Sequence, residues 1–174
     1  MPCGAPLSSS PYRLITLAVT GACAVALAGC TAGTVPVLRT SPQGLAAISC
    51  AGLLSQLPNK LQGHDRRAIE PADAFAAAWG NPSIVLRCGV AKPAALVPTS
   101  QVLSVNGIDW LPEQLSNGYR FTTSGRAYYI EVTVPSDYAP EAGVLTAIAD
   151  PILRTIPATS GVGGALSTAA PSAS

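Results

Sequence analysis

The sequence predicts an α+β domain, a mostly antiparallel sheet of about four to five strands with helices packed on one face. Three observations lead there. Asn106-Gly107 sits between two short apolar segments, "QVLSV" and "IDWLP". It is the strongest two-residue hairpin signal, because the favoured turn needs positive φ at both positions. A second pair of alternating runs, "GYRFTTS" and "AYYIEVTVP", flanks Ser124-Gly125. Finally, "GLAAISCAGLLSQLP" places Ala47, Cys50, Ala51 and Leu54 at helical spacing, and Pro58 ends the run.

The first helix turns Cys50 inward. "PADAFAAAWG" predicts a short second helix, with Pro71 at its first position and Gly80 just past its end. "SIVLRCGV" alternates as a strand, with Ile84, Leu86, Cys88 and Val90 on one face and Val85 and Arg87 on the other. Closing a hairpin at Asn106-Gly107 pairs Val105 with Ile108 and Leu103 with Trp110. A turn at Ser124-Gly125 puts Tyr119, Phe121, Tyr128, Ile130, Val132 and Val134 on the core face. Arg120, Thr122, Tyr129, Glu131 and Thr133 then face out. The last segment is helical around Val144, Ala147 and Ile148, and Asp150-Pro151 caps a fresh turn or kinks the helix.

Outside this core the chain changes character. Arg13 precedes an uncharged apolar run, Leu14 to Leu27, which has the length and flanks of a secretory signal. The run falls short of the ~20 residues of a membrane span. It ends in Leu27-Ala28-Gly29-Cys30, the pattern of a bacterial lipobox: a branched apolar residue, two small ones, then cysteine. The small residues let a peptidase close on the backbone, and the thiol one residue past the cut accepts a diacylglyceryl group. Cys23 follows Thr20-Gly21-Ala22, with threonine where leucine should stand. Cys30 is therefore the expected lipid site, against alternatives of an uncleaved anchor or plain secretion. The expected organisation is a signal peptide over 1–29, a flexible tether over 30–43, the domain over 44–156 and a disordered tail over 157–174. Both flanks are rich in Gly, Ser, Thr and Pro.

Cleavage leaves about 145 of the 174 residues, enough for one domain. It removes one of ten basic residues and no acidic one of nine, for a formal balance of zero. No basic stripe is available for nucleic acid. Of five cysteines, Cys50 and Cys88 remain after processing and acylation, in an oxidising compartment. A structural disulfide is the expected pairing; a redox pair or a metal site are the alternatives. Redox motifs favour C-x-x-C, and zinc needs more ligands than these two and His64 supply. Neither a metal nor another cofactor is expected.

The blocks Trp79-Gly80-x-Pro82, Leu86-Arg87-Cys88-Gly89-Val90 with Pro93, and Asn106-Gly107-Ile108-Asp109-Trp110 carry a resemblance. The chain resembles small secreted or lipid-anchored envelope proteins of actinobacteria, mycobacteria included, classed as a domain of unknown function. The resemblance spans roughly Ala46 to Ile156. It implies an address and a fold unit, and it brings no catalytic residue.

The residues themselves give little chemistry. His64 is the one histidine, in "GHDRRAIEP", which reads as a solvated loop with Arg66-Arg67 in a turn. G-x-S-x-G and S-x-x-K are both missing, and Gly161-x-Gly163-Gly164 lacks the strand and lysine of a phosphate loop. Asp109, Glu113 and Glu131 are the carboxylates a glycan hydrolase would need. Arg87, Asp109, Arg120, Tyr129 and Glu131 share outward parity and form a candidate partner-binding face, since guanidinium forks suit carboxylate or phosphate groups. The competing expectation is an ordinary Arg120–Glu131 cross-strand pair. The reading is a membrane-anchored extracytoplasmic lipoprotein, a non-enzymatic module presented to a cell-wall component or envelope protein. A hydrolase and a structural subunit of a membrane complex are the alternatives.

Overall fold

Alternating apolar residues in a chain of short segments build one large antiparallel sheet. The computed structural model describes residues 33–159. In chain order the elements are β1 (Val35–Pro36), α1 (Leu45–Gln56), β2 (Lys60–Leu61), β3 (His64–Arg67), β4 (Ile69–Glu70), β5 (Ala76–Trp79), β6 (Ile84–Val90), β7 (Leu103–Val105), β8 (Ile108–Leu115), β9 (Gly118–Ser124), β10 (Tyr129–Pro135) and α2 (Ala142–Thr155). A 3-10 turn, Ser136–Tyr138, joins β10 to α2. Eight strands pair antiparallel in the order β2-β3-β5-β6-β10-β9-β8-β7, and β1 pairs with β4 in a separate parallel pair. The fold is broadly α+β, with eight strands in the main sheet instead of the expected four to five.

The sheet gains three strands over the expected five: β2, which pairs with β3, and two segments expected as other structure. "AAAW" of β5 was expected as helix; it is a strand between β3 and β6, with all four residues buried. Burial on both faces erases the alternation that marks a strand, and alanine's helix propensity yields to tertiary context. His64–Arg67, expected as a loop and turn, is β3. Its arginines are half-buried and bond to backbone carbonyls: Arg66 Nη1 donates to Leu54 O at 3.3 Å and Arg67 Nη1 to Gly80 O at 3.1 Å.

Both helices pack on one face. Cys50 and Leu53 of α1 meet Val144, Leu145, Ile148, Ala149 and Ile152 of α2 over Ile84, Leu86, Trp110, Phe121, Ile130 and Val132. Cys50 and Cys88 are joined by a disulfide, Cα–Cα 5.6 Å, tying α1 to β6. In α2 the helix runs on through Pro151, and Ala147 is exposed. The β7–β8 hairpin pairs Val105 with Ile108 and Leu103 with Trp110, with Asn106 at φ 47° and Gly107 at φ 76°. The β9–β10 connection is longer than a turn at Ser124-Gly125. Arg120 lies opposite Thr133, where that turn would have set it opposite Tyr129. The offset is even, so every side chain keeps its face.

Candidate functional site

The outer face begins as the sequence suggests. Arg87, Arg120, Thr122, Tyr129 and Glu131 share a side of β6, β9 and β10, because side chains alternate along a strand. Glu131 stands opposite Arg87 on β6 and opposite Thr122 on β9. Arg87 donates from Nε (3.0 Å) and Nη2 (2.7 Å) to Glu131 Oε1, and Arg120 Nε approaches Glu131 Oε2 at 3.6 Å. The Glu131 side chain is only 12% exposed and Arg87 19%. One carboxylate thus sits between two guanidinium groups. Arg120 Nε itself makes no hydrogen bond there, nor does the fully buried Thr122 Oγ1.

Asp109 does not join this cluster. It lies opposite Ser124, while Glu113, four residues on, lies opposite Arg120. Leu111 is level with Thr122 and Glu131. Asp109 therefore lies about 7 Å along β8 from that level, at ~3.4 Å per residue, and two strands across from Glu131. It accepts a hydrogen bond from Ser104 of β7 instead. Tyr129 borders a different cleft of about 320 Å³, with Ser124, Leu96, Val97 and Val102.

Two irregular segments cover this face, and sequence reasoning missed both. Residues 33–43, expected as part of a tether, form a strap. Val35 N donates to Ala68 O and Val37 N to Glu70 O, each at 2.8 Å; Arg67 Nη2 donates to Gly33 O. At the far end Thr40 Oγ1 donates to Cys88 O at 2.6 Å, and Arg39 pairs with Asp73. Val35 is buried, as are the outward-parity alanines Ala76 and Ala78. The loop 91–102 brings Leu96, which is buried, beside Tyr129 and Ser124. Outward-parity Leu111 is buried too.

Gly89 makes the crossing of the strap possible. The β6–β10 register shifts between Tyr129 and Ile130, leaving Gly89 as an extra residue at φ +74°. A Cβ there would lie 2.8 Å from Pro42 Cβ. The bulge puts Val90 opposite Tyr129, on the Arg87 side, where unbroken alternation had it facing the core. A glycine inside a strand pattern is the signal that could have found it.

Between strap and sheet lies an open cleft of about 460 Å³, lined in part by Arg39, Thr40, Arg87, Lys92 and Glu131. Glu131 is its sole carboxylate, whereas Arg39, Arg87 and Lys92 are cationic. The arrangement suits electrostatic capture of an anion, and it lacks the second carboxylate that acid–base cleavage of a glycan needs. The hydrogen bond from Arg39 holds the Asp73 carboxyl below its usual range, and the same contact raises Arg39. Among the described residues no three His, Cys, Asp or Glu side chains converge as metal ligands.

Cys30, the expected lipid site, lies outside the described residues, as does most of the expected tail. Of that tail, Pro157 to Thr159 pair with the β9–β10 connection: Ala127 N donates to Pro157 O and Thr159 N to Gly125 O. No described helix is long and apolar enough to cross a membrane. No curated protein and no solved structure matches this chain. A family model matches residues 13–161, a span that takes in the strap, the sheet and both helices, and the chain belongs to that family, described as "Protein of unknown function (DUF3515)".

Proposed function

We propose that the protein is a membrane-anchored extracytoplasmic lipoprotein of the actinobacterial type, acylated on Cys30, whose domain is a non-enzymatic binding or accessory module of the cell envelope. The anchor rests on the order of residues in Leu27-Ala28-Gly29-Cys30 behind an apolar run. A diacylglyceryl group, with or without a further acyl chain, meets the two-chain threshold for stable anchoring.

A binding role is favoured over hydrolysis by one observation: Glu131 is engaged by Arg87 and Arg120 and has no carboxylate partner across its cleft. A general acid must hold and release a proton at working pH. A glycosidase site sets a second carboxylate about 5–9 Å from the acid, and none lines this cleft beside Glu131.

Intact mass of the membrane-extracted protein, taken native and after alkylation with and without reductant, tests the reading. The expected mass is residues 30–174 plus a diacylglyceryl group and up to one acyl chain, with no alkylation until reduction. Residues 1–29 still attached, or no lipid on Cys30, would overturn the anchor.

A further inference from the structure

The strap changes what a lipid on Cys30 would do. Gly33 is held by Arg67, and Val35 and Val37 are bonded to the strand beside them. Only Thr31 and Ala32 separate Gly33 from Cys30, a reach over three residue steps of at most about 11 Å fully extended. An acylated Cys30 would therefore keep the Gly33 end of the strap near the bilayer surface, with Arg39 at most about 21 Å farther along it. Leu38, midway along the strap, is 73% exposed. Next to it Arg39 enters the cleft shared with Arg87 and Lys92.

Charge in this cleft is not balanced. Glu131 is taken by Arg87 and Arg120. Asp73, which pairs with Arg39, is itself largely exposed, so a second anion can compete for that guanidinium. Lys92 is exposed and has no ion-pair partner among the described residues. An apolar side chain beside a cationic cleft, held near a bilayer, matches the amphiphilic order of a phospholipid.

We propose that the cleft formed by Arg39, Arg87 and Lys92 binds the phosphate of an anionic phospholipid, with Leu38 against its acyl side. The proposal rests on the lipoprotein reading for its geometry. Arginine and lysine give charge-assisted hydrogen bonds to phosphate oxygens, and an anionic leaflet raises the local concentration of such groups. Binding would fix the orientation of the domain on the membrane as well as its distance.

Native mass spectrometry of the membrane-extracted full protein in mild detergent tests this. Phosphatidylglycerol, phosphatidylcholine or inorganic phosphate is added in turn. The expected result is a single phosphatidylglycerol adduct, several-fold more abundant than that of phosphatidylcholine. It should fall at least about fivefold in Arg39→Ala/Lys92→Ala. Both side chains are exposed, so this variant keeps the core, and Arg87 is left to hold Glu131. Equal binding of the two lipids, or an adduct indifferent to the double substitution, would overturn the proposal. Retention of inorganic phosphate without the lipid would assign the site to free phosphate and equally overturn it. The mass of the chain in the same spectrum reports the state of Cys30 separately. A specific adduct on an unprocessed chain would support the headgroup site and sink the anchor.

Discussion

The helix-side face and the outer face of the same eight strands are buried by different kinds of chain. On one, α2 lays a regular apolar stripe and α1 sets Cys50 and Leu53 over Trp79, Leu86, Trp110 and Ile130, and the disulfide ties α1 to β6. On the other, a strap and a loop with almost no regular structure run against the sheet, with clefts between them and the strands. The first is closed by side-chain packing. The second is closed by backbone hydrogen bonds, a bulge and ion pairs, and the charged cleft lies there. Close side-chain packing marks one face and clustered charge the other.

Substitutions should separate the two, and the largest effects belong to the helix side. Trp79→Ala removes a fully buried ring whose Nε1 donates to Pro58 O. It should cost about 3–5 kcal/mol in denaturant unfolding. Reducing the Cys50–Cys88 bridge, which spans 38 positions, should cost about 3–4 kcal/mol. A loss under about 1 kcal/mol in either case would deny that the helix-covered face carries the fold.

On the outer face the ion cluster gives a sharper contrast. Glu131→Ala leaves Arg87 and Arg120 facing each other and should cost about 2–3 kcal/mol, less than a fully buried pair because both sides are partly wet. Replacing both partners, Arg87→Met with Glu131→Leu, should be close to neutral, since burying charge offsets much of what the pair contributes. If the double replacement unfolds the domain, the cluster is structural and the division between the faces fails.

Smaller effects probe the strap. Gly89→Ala combines a positive φ with a methyl group pressed on Pro42. It should cost about 1–2 kcal/mol, mostly by lifting residues 40–43. The smallest effect is that of pH. Asp73 has its pKa lowered by the hydrogen bond from Arg39. Its contribution is present above the ordinary carboxylate value of about 4 and is lost as pH falls through the depressed value. In Arg39→Ala the Asp73 titration, followed by NMR, should return to the ordinary range.

The helix-side face was legible because its residues obey a period. Ile84, Leu86 and Cys88 alternate, as do Phe121, Ile130 and Val132 in their strands, and Asn106-Gly107 places its hairpin register directly. Ala76–Trp79 escaped because it is buried on both sides, and His64–Arg67 because its arginines serve backbone carbonyls. Within the site, alternation brought Arg87, Arg120 and Glu131 together, yet could not tell that Asp109 lies farther along the sheet. Arg39, Thr40 and Lys92 were out of reach. Segments held by backbone bonds and a glycine bulge carry no hydrophobic pattern, so "GTVPVLRTSPQ" looks like free chain.

Hydrogen exchange at the Val35 and Val37 amides of the full protein tests the central claim most directly, that residues 33–43 are part of the outer face. Both amides donate to backbone carbonyls at 2.8 Å and should be slowed well beyond the exchange of an unstructured peptide. Exchange at the unstructured rate would make the segment a tether, leave the outer face open and remove the argument that a lipid on Cys30 holds the domain near the membrane.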